Sequence, residues 1–133
     1  MTNNDTDTDD ARSQTPVTII VSNGVLFFPG QVIATPDSIA LMQLHNFSAA
    51  ALLNRHLHGD FGDVHPDDLE MNKSAIDDGS RILSVFRLTS PEKILSTPRS
   101  KRHLLPTIWV ISDAIDGDPR QREVTTFLTP ENY

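Results

Sequence analysis

Cysteine is absent from this chain, which excludes a disulfide framework, a thiolate metal site and a cysteine nucleophile. No apolar run approaches the ~20 residues needed to cross a bilayer. The start, MTNNDTDTDD, lacks the basic opening and apolar stretch of a signal peptide, so a cytoplasmic protein is expected. Basic residues are the minority, 11 Lys and Arg against 18 Asp and Glu, for a formal charge of −7. A nucleic-acid partner is therefore not favoured, and a protein partner is.

At 133 residues the chain fits one ordinary domain with a core of its own. Its charge is unevenly placed. Asp5, Asp7, Asp9 and Asp10 against Arg12 put −3 into residues 1–15, which read as a disordered acidic tail, with a single domain over 16–133. Residues 60–80 carry Asp60, Asp63, Asp67, Asp68, Glu70, Asp77 and Asp78 against Lys73 alone, a balance of −6. Residues 81–105 reverse it to +5, with Arg81, Arg87, Lys93, Arg99, Lys101 and Arg102 against Glu92. Such blocks are either two faces for two partners or one self-neutralising, solvated surface.

Local signals predict an α+β fold, with three short helices packed on a mainly antiparallel sheet. Val17–Val21 and Val25–Phe28 flank Asn23-Gly24, the turn chemistry of an N-terminal hairpin, and Gln31–Ala34 is expected as an edge segment. Thr35-Pro36-Asp37 starts a helix running to about Leu44. Ser48 caps a second, whose Ala49, Leu52, Leu53 and His56 recur on one face before Gly59 stops it. A third runs from Pro66 to Gly79, with Leu69, the Lys73 stem and Ile76 inward and Asn72 at the edge. Three strands follow: Arg81–Leu88, Thr107–Ser112 and Glu123–Thr129. Helices before strands argue for α+β rather than alternating βαβ units. Trp109 and Phe127 are expected in the core. Residues 89–106, with three prolines and a basic run, read as an extended surface loop, and 116–119 as a hairpin turn.

The densest chemistry is LLNRHLHGDFGD, Leu52 to Asp63. His56, His58, Asp60, Asp63 and His65 are all metal-capable, but His56 and His58 lie about 200° apart on a helix, so no metal site or cofactor is assigned. His56 is either a hydrogen-bonded core histidine or an acid–base group. In the second case His56 or His58 would work with Arg55, Arg81 or Arg122 as a metal-independent endoribonuclease, an option raised by an element order that resembles barnase- and RelE-like ribonucleases. The run at 99–103 has no interleaved aromatics for stacking on bases. The favoured surface is acidic: Asp67, Asp68, Glu70, Asp77 and Asp78, with Asp60 and Asp63 in the adjoining turn, facing a basic partner while Gly59 and Gly62 permit the turn.

From Leu52 onward the segments LLNRHLHGDFGD, DDGSRILSVFRL, IWVISDA and VTTFLTPENY resemble a group of small bacterial proteins associated with plasmids and integrative elements. The resemblance covers roughly the last 80 residues, with longer insertions here at 89–106 and 115–122. It implies a mobile-element accessory role, such as anti-defence, and transfers no catalytic residue.

Overall fold

A computed structural model describes residues 15–16 and 24–133. In chain order it contains β1 (Thr15–Pro16), β2 (Gln31–Ala34), α1 (Pro36–Leu44), α2 (Ala49–Leu57), α3 (Pro66–Asp78) and β3 (Ile82–Arg87). Then come α4 (Pro91–Ser96), a 3₁₀ turn (Arg99–Leu104), β4 (Thr107–Ser112), β5 (Val124–Leu128) and a terminal 3₁₀ turn (Pro130–Asn132). The fold is α+β. Among the described residues no helix is long and apolar enough to cross a membrane.

The strands form one sheet in the order β1-β2-β5-β4-β3, antiparallel throughout except for the parallel pair β2 and β5. Register decides what is buried, because successive side chains of a strand point to opposite faces. Pairing places Ile82, Ser84 and Phe86 beside Ser112, Val110 and Ile108, and these beside Thr125, Phe127, Val32 and Ala34. None of the ten is more than 7% exposed. The layer over this face comes from α2, through Leu52, Leu53, His56 and Leu57, together with Phe27 and Phe61. Each such apolar side chain contributes about 1.5–3 kcal/mol when removed from water.

Local chemistry explains the helix ends. The Oγ atoms of Thr35 and Ser48 accept from the amides of Ser38 and Ala51, both at 3.2 Å, and Pro36 and Pro66 occupy first-turn positions. The α3 cap is an imidazole: Nδ1 of His65 accepts from the Asp67 amide at 3.1 Å. Gly79 closes the same helix in the left-handed conformation at φ +84°, where a Cβ would lie 2.5 Å from the Ile115 carbonyl oxygen.

Several expectations are corrected. Val25–Phe28 is not a strand; Phe28 makes one isolated bridge to Gln121, while the other half of the expected hairpin, 17–21, lies outside the described residues, as does most of the expected tail. Instead of lying at an edge, β2 is flanked by β1 and β5. Residues 90–105 are not extended: Ser90 caps α4 by accepting from the Lys93 amide, and Pro98 leads into the 3₁₀ turn. Asn72 is buried at 3% exposure, whereas Lys73 is exposed. The Asn72 amide group donates to the Leu83 carbonyl at 2.7 Å and accepts from the Leu83 amide at 3.0 Å. It thereby acts as a short surrogate strand on the outer side of β3. The next outward residue, Val85, receives the Phe61 carbonyl and the Asp63 amide. An edge that would otherwise invite pairing with another chain is closed.

Candidate functional site

The turn after α2 begins as the sequence suggests and ends in an unexpected place. Gly59 (φ +87°) lets the chain leave the helix, and the Asp60 carboxylate folds the turn by accepting from the Gly62 amide at 3.1 Å and from Arg55 Nε at 2.7 Å. The Arg55 hydrogen bond holds the Asp60 pKa below its usual value against the opposing effect of burial. Gly62 then packs onto β3 so closely that a Cβ would lie 2.2 Å from the Val85 carbonyl oxygen. That approach delivers Asp63 to Arg87.

His56 is fully buried, edge-on to Phe27 and Phe61. Donor bookkeeping sets its protonation. Thr125 Oγ1 donates to the Pro29 carbonyl at 2.9 Å, so the 2.7 Å contact between Ser112 Oγ and Thr125 Oγ1 must be donated by Ser112. Ser112 Oγ consequently accepts from His56 Nε2–H at 2.9 Å, which leaves Nδ1 to accept from Ser84 Oγ at 2.6 Å. The result is a neutral imidazole in a one-way chain running from β3 through α2, β4 and β5 to Pro29. Burial, and secondarily the charge of Arg122, lower its pKa from 6.5 to about 3. The ring is 0% exposed with both nitrogens hydrogen-bonded, the arrangement expected of a core histidine.

The other groups considered alongside it are each held by partners of their own, Arg55 by Asp60 among them. Arg122, 3% exposed, donates to five carbonyls: Ala75 and Pro119 at 2.7 Å, Ser80 at 2.6 Å, Asp113 at 3.2 Å and Gly79 at 3.4 Å. It fastens the end of α3 to the β4–β5 connection over the Phe27 ring. Burial lowers its pKa, opposed by the charge of Asp78. Arg81 lies over Tyr133 and donates to its hydroxyl, and Tyr133 meets half-buried Trp109 edge-on. His58 is exposed, with Nδ1–H donating to the Asn54 carbonyl at 2.6 Å. Among the described residues no three metal-ligating side chains converge.

Asp63 is the centre that sequence reasoning misplaced. Its side chain is 8% exposed rather than part of an open acidic face. One oxygen accepts from Arg87 Nε at 2.9 Å and the other from Arg102 Nη1 at 2.8 Å, with Arg99 3.7 Å away. Burial would raise its pKa, but the two guanidiniums hold it below the usual carboxylate value. Arg87 and Arg102 lie 24 and 39 residues from Asp63, and no spacing rule links them. The remaining acids divide. Asp68 is half-buried, whereas Asp67, Glu70, Asp77 and Asp78 lie on the outer surface of α3 beside Met71, which is 67% exposed. Glu70 pairs with Lys73 at 3.2 Å, Asp67 approaches His65 at 3.6 Å, and Asp78 accepts from the Ser80 amide.

Two cavities meet at Asp63 and Arg87. One, of about 670 Å³, lies between Phe47, Phe86, Leu88 and the Ile94–Leu95 edge of α4. The other, of about 830 Å³, opens over Leu83, Val85 and Trp109, with His65, Asp68 and Arg99 around it. These features define an α+β domain with a sealed polar interior, an acidic helix face and a basic flap. No protein-family model, curated protein or solved structure matches the chain.

Proposed function

We propose that this is a non-enzymatic binding protein, an accessory or anti-defence factor of a mobile element, which engages basic groups of a protein partner through the outer face of α3. One observation carries the reading. Two of the groups that could have done acid–base chemistry, His56 and Arg122, are occupied in the interior by hydroxyls and by carbonyls, whereas Asp67, Glu70, Asp77 and Asp78 face solvent with Lys73 as the one lysine or arginine on their helix. Exposed Met71 in their midst adds an apolar anchor at the centre of a charged rim, the usual division of labour in an interface. Long-range attraction by such a face speeds encounter and is screened by salt.

The test compares wild type with the Asp67→Lys/Asp77→Lys double variant as baits in a bacterial lysate, at low and moderate salt. The expected result is a captured basic protein whose retention falls at least roughly ten-fold on charge reversal, with an unchanged circular dichroism spectrum. Equal retention by both baits defeats the proposal. So does chelator-resistant cleavage of RNA by the purified protein.

A further inference from the structure

The cavity beside α4 has a charge and a shape that the partner-binding face does not use. Its lining is mixed, with Phe47, Phe86, Leu88, Ile94 and Leu95 supplying the apolar part beside charged side chains. Leu95 is 77% exposed although it borders a concave surface, so an apolar side chain is left wet where a ligand would cover it. Among its lining residues Arg87 and Arg102 share the single carboxylate of Asp63, which Arg99 also approaches at 3.7 Å, so positive charge is in excess there. Both side chains are nearly buried, at 13% and 14% exposure.

The fork geometry leaves donors over. Arg87 spends Nε on Asp63 and Nη1 on Thr107 Oγ1, and Arg102 spends Nε on the Thr97 carbonyl and Nη1 on Asp63. Each keeps an Nη2 group with no hydrogen bond to a described residue, and both arginines border this cavity. Arg55 also borders it, but its charge is matched by Asp60. The cavity over Trp109 differs, because Asp68 and Glu131 join Asp63 there and cancel the positive field. A volume of about 670 Å³ lies within the ~300–1,000 Å³ of small-molecule sites.

We propose that this cavity binds a small amphipathic monocarboxylate. Its head is held by the spare Nη2 donors of Arg87 and Arg102, and its aliphatic or aromatic body lies against Phe47, Leu88, Ile94 and Leu95. An anion answers the excess of guanidinium charge over Asp63, and the two oxygens of a carboxylate can each accept from one spare Nη2 group. Because α4 and the following 3₁₀ turn contain no buried residue, the ligand would also add the apolar contact that this flap lacks.

Octanoate and 4-phenylbutyrate, each beside its neutral amide, are titrated into the ¹⁵N-labelled full chain and followed by amide shifts. The expected result is saturable movement at Leu88, Thr89, Ser90, Ile94 and Leu95, with the carboxylate binding at least roughly ten-fold tighter than the amide. Arg102→Gln should remove that preference. Because this substitution also loosens the flap, Ile94→Trp provides a second arm: it fills the cavity, leaves the Asp63 pairs intact and should abolish binding. No saturable shift with either carboxylate overturns the proposal, as does equal binding of the amides or undiminished binding to the filled cavity.

Discussion

Between α2 and the sheet, a histidine and three hydroxyls are sealed at 0% exposure in a chain with one direction of donation; the flap at 90–105 buries no residue in either of its helical turns and is fastened by Asp63. Both regions are polar, yet they differ in what surrounds the polar atoms. In the interior every donor must find an acceptor, because an unmade bond there is not replaced by water. On the flap most groups are exposed, its hydroxyls bond only to nearby backbone, and the long-range tie is the nearly buried Asp63 carboxylate with its guanidiniums. Side-chain type therefore says little about role until burial is known.

The comparison breaks most severely at Arg122. Arg122→Met strands the carbonyls of Ala75, Ser80, Pro119, Asp113 and Gly79, and should lower unfolding free energy by about 3–5 kcal/mol, read from the urea midpoint.

Acid should attack the interior next. With a folded pKa of about 3 against 6.5 unfolded, His56 stays neutral in the native protein while the unfolded chain takes up a proton. Its contribution is complete above pH 6.5 and is lost as pH falls toward 3, a total on the order of 5 kcal/mol. The lowered carboxylates Asp60, Asp63 and Asp78 add to acid sensitivity only below their ordinary 3.8, so the window above it isolates the histidine. His56→Gln should flatten stability against pH between 6.5 and 3.8; a slope equal to that of wild type would contradict the buried neutral ring.

The flap should respond more locally. Asp63→Asn leaves Arg87 and Arg102 without their shared anion and should cost about 1–3 kcal/mol overall. Hydrogen exchange should accelerate most at the amides of Ile94, Thr97 and Leu105 in the flap, and far less at those of β4. The smallest change is expected on the outer face of α3. Asp77→Lys removes no hydrogen bond and should move stability by no more than about 0.5 kcal/mol, which makes it suitable for probing partner binding without disturbing the fold.

Helix starts were legible because their signals are local: Thr35, Ser48 and Pro66 act within a turn of where they stand. The last three strands were legible because apolar residues recur there in short runs between turn residues, and β4 has the predicted bounds. Val25–Phe28 carried the same signal and formed no strand, since Phe28 pairs with Gln121 at a single bridge. The prolines of 89–106 suggested extension, but Pro91 sits at the first position of α4, where its fixed φ suits a helix.

What the sequence determined by itself is the set of interactions that close within a few residues: caps, stops, the apolar face of α2 and the helices-then-strands order of an α+β fold. Tertiary structure decided the rest. It set β2 parallel to β5, turned Asn72 into a surrogate strand, selected the His56 tautomer through Ser84, Ser112 and Thr125, and converted Asp63 from a surface acid into the anchor of a flap. The physical reason is that the energy of a charge or hydrogen bond depends on desolvation and on partners distant in sequence, and neither exists until the layers have packed.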